Sequence, residues 1–402
     1  MEAKEQKAQV QKTFEQLKKV LRGEPSGTEA FPESANDPKY ADLYEQLRQR
    51  MHSIATGFPK STEIGGTEGS DYNMLKLLFL PEQAEVALGI PTDKFADPEE
   101  IAANLKRDDV KVVADILRAT TARGSVFHKK ENGKDLYRLI GNTPGLLEFQ
   151  AARLTTEGIP YFSQYLGEWV MPAMFDQNIP SWRYLPVNQE VTADNKILPY
   201  EDVTEIIKSK KKIAVAPCMC KVLKPDPCKV MDEPYDCCIQ FDDWADLYVN
   251  ELKVSRYLTQ EEALALIKHN QENNLVMMAA GSIESEIMCS CCECCCDVLA
   301  TYKGIGGKAA QMVTNYYVDI DKDKCTECGK CAEVCFTRAG IIMNNGKWEY
   351  HMDKCVGCGV CVNNCPTKAL TLKRKPEDKQ FTPPKTMFET YAIQAEGRLG
   401  KK

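Results

Sequence analysis

"CTECGKCAEVC" (325–335) and "CVGCGVCVNNCP" (355–366) decide how the C-terminal part of this chain is read. Each is a C-x2-C-x2-C-x3-C run. In that spacing a short loop wraps three corners of a metal–sulfur cube, while the fourth cysteine is free to cross to a second one. Zinc knuckles are the competing reading, but they pair two C-x2-4-C or C/H elements and do not repeat this four-cysteine run. The flanking "NYYVDID" (315–321) and "GKWEYHMD" (346–353) read as strands, and Asn345-Gly346 as the turn of a hairpin. A small α+β domain is expected over 314–374.

With both motifs in view, this region resembles the bacterial two-cluster ferredoxins. The resemblance implies one [4Fe–4S] cluster on Cys325, Cys328, Cys331 and Cys365, and another on Cys355, Cys358, Cys361 and Cys335. One departure stands out. Phe336 occupies the position after the fourth cysteine where that family usually has the proline that shapes the turn and shields the cluster. Phenylalanine can still shield.

Working outward, all 19 cysteines lie at or beyond Cys218. Disulfide scaffolds belong to small secreted chains. A chain of 402 residues with an odd cysteine count reads better as a metal or metal–sulfur ligand set. "APCMCKVLKPDPCKVMDEPYDCCIQF" supplies Cys218, Cys220, Cys228, Cys237 and Cys238 on a proline-stiffened loop. "MCSCCECCCD" (288–297) adds Cys289, Cys291, Cys292, Cys294, Cys295 and Cys296. Side chains of adjacent cysteines diverge, so the paired steps suggest ligands sent to different metal centres. These eleven thiols suffice for two cubanes with three to spare, for one cubane, or for one larger or non-cubane cluster. Zinc is the alternative, and unligated thiolates would be prone to oxidation.

The strand into "PC-x-C", the later "C-x-CC-x-CCC-x-x-L" and the two terminal motifs together resemble a group of anaerobe proteins usually called 4Fe-4S binding or ferredoxin-like. Members carry a helical, winged-helix-like N-terminal part with an "L-x-F/L-x-PE-x-AE" segment, matched here by "LLFLPEQAEVAL" (77–88). The resemblance spans most of 72–372. It implies a first ligand set of Cys218, Cys220, Cys228 and Cys238 and a second of Cys289, Cys291, Cys292, Cys294, Cys295 and Cys296, with Cys237 as an addition. It supplies no substrate.

The N-terminal half contains no cysteine. The opening 21 residues read as a charged amphipathic helix without the apolar core of a signal peptide, and 59–71 as a linker. The apolar stretch 72–90 reads as a helix. Asp97-Pro98 starts a second, and 108–124 forms a third with Gly124 as its stop. A hairpin turning at Asn132-Gly133 follows. Three helices and a hairpin resemble a winged helix. The third helix, however, sets three aspartates against Lys111, Arg118 and Arg123, so a protein-contact role is expected over DNA reading. Residues 161–175 are aromatic and read as packing, and 375–402 as a basic tail, solvated or weakly docked, with an arm gripping an acidic partner as the alternative.

The expected architecture is therefore α+β and multidomain: helices and linker (1–71), a winged-helix-like domain (72–141), a Cys-rich α/β iron–sulfur domain (142–313), a bacterial ferredoxin-like domain (314–374) and the tail. The net charge of −7 argues against a chain-wide nucleic-acid role, and no run of 18 apolar residues is present. A cytoplasmic location is expected. The sequence shows no nucleotide-binding strand–helix turn, so no flavin or NAD site, and "KGIGGKAAQ" (303–311) reads as a turn. No phosphate-binding P-loop is present, and the four histidines are isolated. No catalytic residue is indicated. The expectation is an electron-transfer subunit that serves a partner oxidoreductase, docking it or a second copy of itself through the N-terminal part. The alternatives are a reductase acting at an unusual cluster on Cys289–Cys296 and a redox-responsive DNA-binding regulator.

Overall fold

A computed structural model describes residues 3–22, 33–53, 58, 60–64, 68–150, 153–162, 164–165, 179–186, 197–224, 226–233, 235–304, 314–337, 341–345 and 347–399. They form two compact units. One comprises 1–179, 243–257 and 388–402; the other comprises 180–242 and 258–387.

In the first unit, helices Ala3–Leu21 and Ala41–Ser53 precede the apolar stretch expected to be one helix. That stretch is two helices, Ser70–Leu78 and Pro81–Ala87. The break has a local cause. Pro81 cannot donate a backbone hydrogen bond and forces the residue before it out of the helical region, and Leu80 is extended at φ −69°, ψ 158°. Helix Pro98–Asn104 starts as its sequence dictates, with the Asp97 carboxylate accepting the Glu100 N–H at 3.0 Å. Helix Val110–Ala122 buries Val113 and Leu117 and stops before Gly124 (φ 76°). Strands β1 (Phe127–Glu131) and β2 (Lys134–Arg138) pair antiparallel across Asn132 (φ 51°) and Gly133 (φ 79°). Both turn residues are left-handed, as a two-residue hairpin turn requires.

The hairpin's cations are engaged locally. His128 lies between Asp135 (3.0 Å) and Glu251 (3.4 Å), Lys134 meets Asp97 at 2.7 Å, Lys129 pairs with Glu131, and the Arg138 guanidinium is buried over the Phe388 ring. Phe127, Phe149, Trp244 and Tyr248 form an aromatic core through edge-to-face and tilted contacts. The C-terminal segment packs against the unit over part of its described length. It forms helix Met387–Leu399, and Phe388, Tyr391 and Ala395 recur on one face. Tyr391 and Ala395 are buried, the Tyr391 hydroxyl donates to the Pro144 carbonyl, and the Gln394 amide donates to Ile179 O at 2.9 Å.

The second unit is built on a sheet. Its strands are β3 (Trp182–Leu185), β4 (Ile213–Pro217), β5 (Asp236–Phe241), β7 (Val276–Ala280) and β8 (Ile287–Cys291), in the order β3-β7-β8-β5-β4, while the short strand β6 (Arg256–Leu258) falls mostly within the first unit. From β3 to β4 every neighbour is antiparallel. Strand β7, "VMMAA", is buried along its whole length, as expected for a strand inside a sheet. Helices Val203–Ser209 and Gln260–Glu272 contact each other, the latter opened by a Thr259–Glu262 capping box.

The same unit carries β9 (Tyr316–Ile320) paired antiparallel with β12 (Leu370–Arg374), and the hairpin β10 (Ile341–Asn344) and β11 (Lys347–Tyr350). Short helices Lys330–Val334 and Val360–Asn363 follow the two cysteine loops and touch each other. Tyr316, Val318, Ile341, Leu370 and Leu372 are its buried core. Most of the aromatic stretch (163 and 166–175) and residues 305–311 of the glycine-containing stretch lie outside the described residues. Among the described residues, no helix is long and apolar enough to cross a membrane.

Candidate metal–sulfur centres

The two C-terminal loops are built alike. Gly329 (φ 78°) and Gly359 (φ 79°) take the same left-handed conformation immediately before their helices. Two residues into each motif, Glu327 (φ 53°) and Gly357 (φ 61°) are also left-handed. Each fourth cysteine meets the hydroxyl of the threonine two residues on, Cys335 with Thr337 at 3.3 Å and Cys365 with Thr367 at 3.7 Å.

Cys325, Cys328, Cys331 and Cys365 line one cavity, walled by Ile320, Pro366 and Leu370. Three thiols of the first loop and the last thiol of the second thus face one space, which fits a cubane. Burial would raise the Cys365 thiol, but the Thr367 hydroxyl and the N–H groups of Leu370, Ala369 and Thr367 hold it below its usual value. Cys355, Cys358, Cys361 and Cys335 lie within electrostatic reach of one another. Burial pushes Cys358 up to about 12, the mark of a thiol site that a metal would have to hold ionised.

The eleven upstream thiols also fall into two groups, and these cut across the two stretches of sequence. In the first group Cys228, Cys292, Cys294 and Cys295 bring their sulfurs within 4.8 Å of one another. The chain folds back at 293–295, with the Cys296 N–H on Cys292 O at 3.1 Å, so that three thiols of one turn converge on Cys228. Leu275, Val230 and Met231 pack around them.

The second group is a run of hydrogen-bonding neighbours: Cys237 with Cys218, Cys218 with Cys220, Cys220 with Cys296, Cys296 with Cys291, Cys291 with Cys289, and Cys289 with Cys238. Cys238 and Cys289 face each other directly across β5 and β8. Cys237, which the sequence marks only as an addition, belongs to this group. The divergence expected of adjacent cysteines holds for Cys291/Cys292 and Cys295/Cys296, which go to different groups. Cys294 and Cys295 stay together.

A family model described as a 4Fe-4S dicluster domain matches residues 318–372. The chain is an iron–sulfur protein. No curated protein and no solved structure matches it.

Two further residues of this iron–sulfur protein were not legible as site residues. Lys221, buried, places its ammonium 2.7 Å from Cys292 Sγ and 3.7 Å from Cys228 Sγ. Burial opposes its charge, but the thiolates of Cys237 and Cys292 raise its pKa well above an ordinary lysine's. Its place directly after Cys220 is the only sequence signal. Tyr184, on β3, is buried with its hydroxyl lacking any hydrogen-bond partner among the described residues. Its ring stacks on Phe336 at 6.0 Å, and its hydroxyl lies in the field of Cys296, Cys291 and Cys358. Phe336 in turn neighbours Tyr302, whose hydroxyl donates to Lys354 O at 3.0 Å. An orphaned donor among buried thiols fits a site meant for acceptor sulfur.

Proposed function

We propose that this iron–sulfur protein is a multi-cluster electron carrier, passing single electrons to or from a partner oxidoreductase in anaerobic metabolism. In this reading Cys325, Cys328, Cys331 and Cys365 hold one [4Fe–4S] cluster and Cys355, Cys358, Cys361 and Cys335 a second. The Cys218–Cys296 run of seven thiols holds a further one. Such clusters supply reversible one-electron chemistry, and the chain sets their potential through burial and hydrogen bonds to sulfur.

The observation that carries the reading is the stack of Tyr184 on Phe336. Phe336 follows Cys335 directly, and Tyr184 faces Cys291 and Cys296, so packed aromatic rings fill the space between the C-terminal thiols and the seven-thiol run. Both rings are buried, and the Thr337 and Thr367 hydroxyls meet the sulfurs of Cys335 and Cys365. The helices and hairpin of 72–141 resemble a winged helix and serve as a docking module, because the hairpin cations are already held by carboxylates or, for Arg138, buried over a ring, and offer no coherent positive face.

The deciding experiment is acid-labile sulfide per chain on protein purified without oxygen. Two cubanes account for about eight. More than that, with at least three centres in an EPR-monitored redox titration, is the expected result. About eight sulfides would end the relay reading. A second reading, a reductase acting at an unusual cluster, draws on the surplus of seven thiols over the four a cubane needs. A shift in the EPR spectrum on adding small ligands such as cyanide would favour it.

A further inference from the structure

The four-thiol group differs in kind from the other cysteine sets. Its sulfur separations are 3.7 Å (Cys228–Cys292), 3.8 Å (Cys228–Cys294), 3.4 Å (Cys292–Cys294) and 3.5 Å (Cys294–Cys295). Four thiolates around one ion, with metal–sulfur bonds of about 2.3 Å, stand at the corners of a tetrahedron about 3.8 Å on edge. A cubane puts a separate iron under each cysteine, with sulfides between the irons, so its four thiolates surround a body several ångström across. Sulfurs as close together as these leave no room for that body. They are also far longer than a disulfide bond, which is about 2.05 Å.

From this packing the geometry points to a mononuclear site: Cys228, Cys292, Cys294 and Cys295 hold a single thiophilic metal ion, zinc or iron, as a closed tetrathiolate. Closure leaves no open coordination position, so the ion clamps the Cys228 loop to the 292–295 turn and takes no substrate. Lys221 supports the assignment. Four thiolates and a divalent ion leave two net negative charges, and its buried ammonium, 2.7 Å from Cys292 and 3.7 Å from Cys228, offsets one of them. The apolar side chains of Leu275, Val230 and Met231 pack against Cys228, Cys292 and Cys295 and lower the local dielectric on that side, which strengthens the attraction. Backbone N–H groups of Val230 and Met231 also point at the Cys228 sulfur. This site is separate from the cluster sites proposed above, and it adds an ion without adding sulfide.

The test uses the full chain purified without oxygen. Elemental analysis of wild type is compared with Cys228→Ser and with Cys294→Ser, the latter at the surface and so the less disruptive change. Each variant is expected to lose about one zinc or one iron per chain, with sulfide unchanged. Metal-edge X-ray absorption on wild type says which metal it is. Zinc absorption with about four sulfurs near 2.3 Å identifies zinc. The EPR signal of an isolated ferric ion, generated by one-electron oxidation with ferricyanide and lost in both variants, identifies iron. Loss of about four irons with four sulfides in either variant would mean a cubane and overturn the assignment. So would unchanged metal content in both. If both variants misfold, zinc or iron absorption on wild type still decides: absence of both the zinc tetrathiolate and the isolated ferric signal rejects the site.

Discussion

The Lys221 ammonium lies 2.7 Å from the Cys292 sulfur while also sitting in the field of Cys237 and Cys218, so one buried cation serves both upstream thiol groups. Groups that touch metal ligands commonly change metal affinity by about 10- to 100-fold when removed. Lys221→Gln keeps most of the side-chain volume and removes the charge. It is expected to release the four-thiolate ion to a chelator at about 10- to 100-fold lower chelator concentration. The C-terminal clusters should be untouched, since no sulfur of theirs meets this lysine among the described residues. Chelator titration followed by metal analysis reads both.

Tyr184→Phe separates an occupied seven-thiol run from an empty one. Its hydroxyl is buried with no hydrogen-bond partner among the described residues, and an unsatisfied buried hydroxyl costs about 1–3 kcal/mol. With no cluster there, removing it should stabilise the protein. With cluster sulfur as acceptor, the substitution removes a hydrogen bond and lowers the reduction potential of that centre. The lower potential, with unchanged or reduced thermal stability, is the expected result. An EPR-monitored redox titration beside a melting curve reads it.

Gly357 and Glu327 occupy corresponding places in the two cysteine loops and should differ in their tolerance of substitution. A Cβ on Gly357 would sit 2.3 Å from the Tyr316 carbonyl oxygen and 2.7 Å from the Thr314 hydroxyl, at a φ of +61°. Gly357→Ala therefore adds a backbone clash to a left-handed cost of about 1–2 kcal/mol, and at least 2 kcal/mol of lost stability is expected. Glu327 already carries a side chain at φ 53°. Glu327→Gly relieves that cost while adding about 1 kcal/mol of backbone entropy, so it should be near neutral. Thermal unfolding of the anaerobic protein compares them.

How much of this was legible beforehand depended on whether the signal was local. The C-terminal loops were, because C-x2-C-x2-C-x3-C encodes its own wrapping geometry, and the Asp97 cap and the Asn132-Gly133 turn rest on neighbouring residues alone. The partition of the upstream cysteines was not. Cys228 joins Cys292 through the pairing of β5 with β8 and the fold-back at 293–295, a relation between distant segments. Cys237 looked superfluous until Cys218 was placed beside it. The Pro81 break was legible in principle, but the apolar run on both sides outweighed it. The C-terminal helix was obscured by the lysine- and proline-containing stretch ahead of it, which draws attention from the spacing of Phe388, Tyr391 and Ala395. Phe336, a departure from the ferredoxin pattern, gains its reason only from Tyr184, whose ring it meets.

Glu201 carries the last expectation. Its buried carboxylate accepts from the Tyr316 hydroxyl (2.7 Å), the Asn315 amide (2.6 Å) and the Arg374 guanidinium (2.6 Å). Tyr316 and Arg374 are register partners on β9 and β12, so one acidic side chain ahead of helix Val203–Ser209 ties the ends of both strands. Truncating one member of a buried ion pair costs about 3–5 kcal/mol, and the partial exposure of Arg374 lowers that to about 2–3 kcal/mol here. Glu201→Ala should therefore loosen β9 and β12 before the larger sheet that contains β7. Hydrogen exchange at Tyr316–Ile320 and Leu370–Arg374 should accelerate while exchange at β7 stays slow. Glu201→Gln, which keeps the acceptor oxygen, should recover part of the loss. Equal acceleration in β7 would mean that Glu201 stabilises the whole unit and not the strand ends it touches.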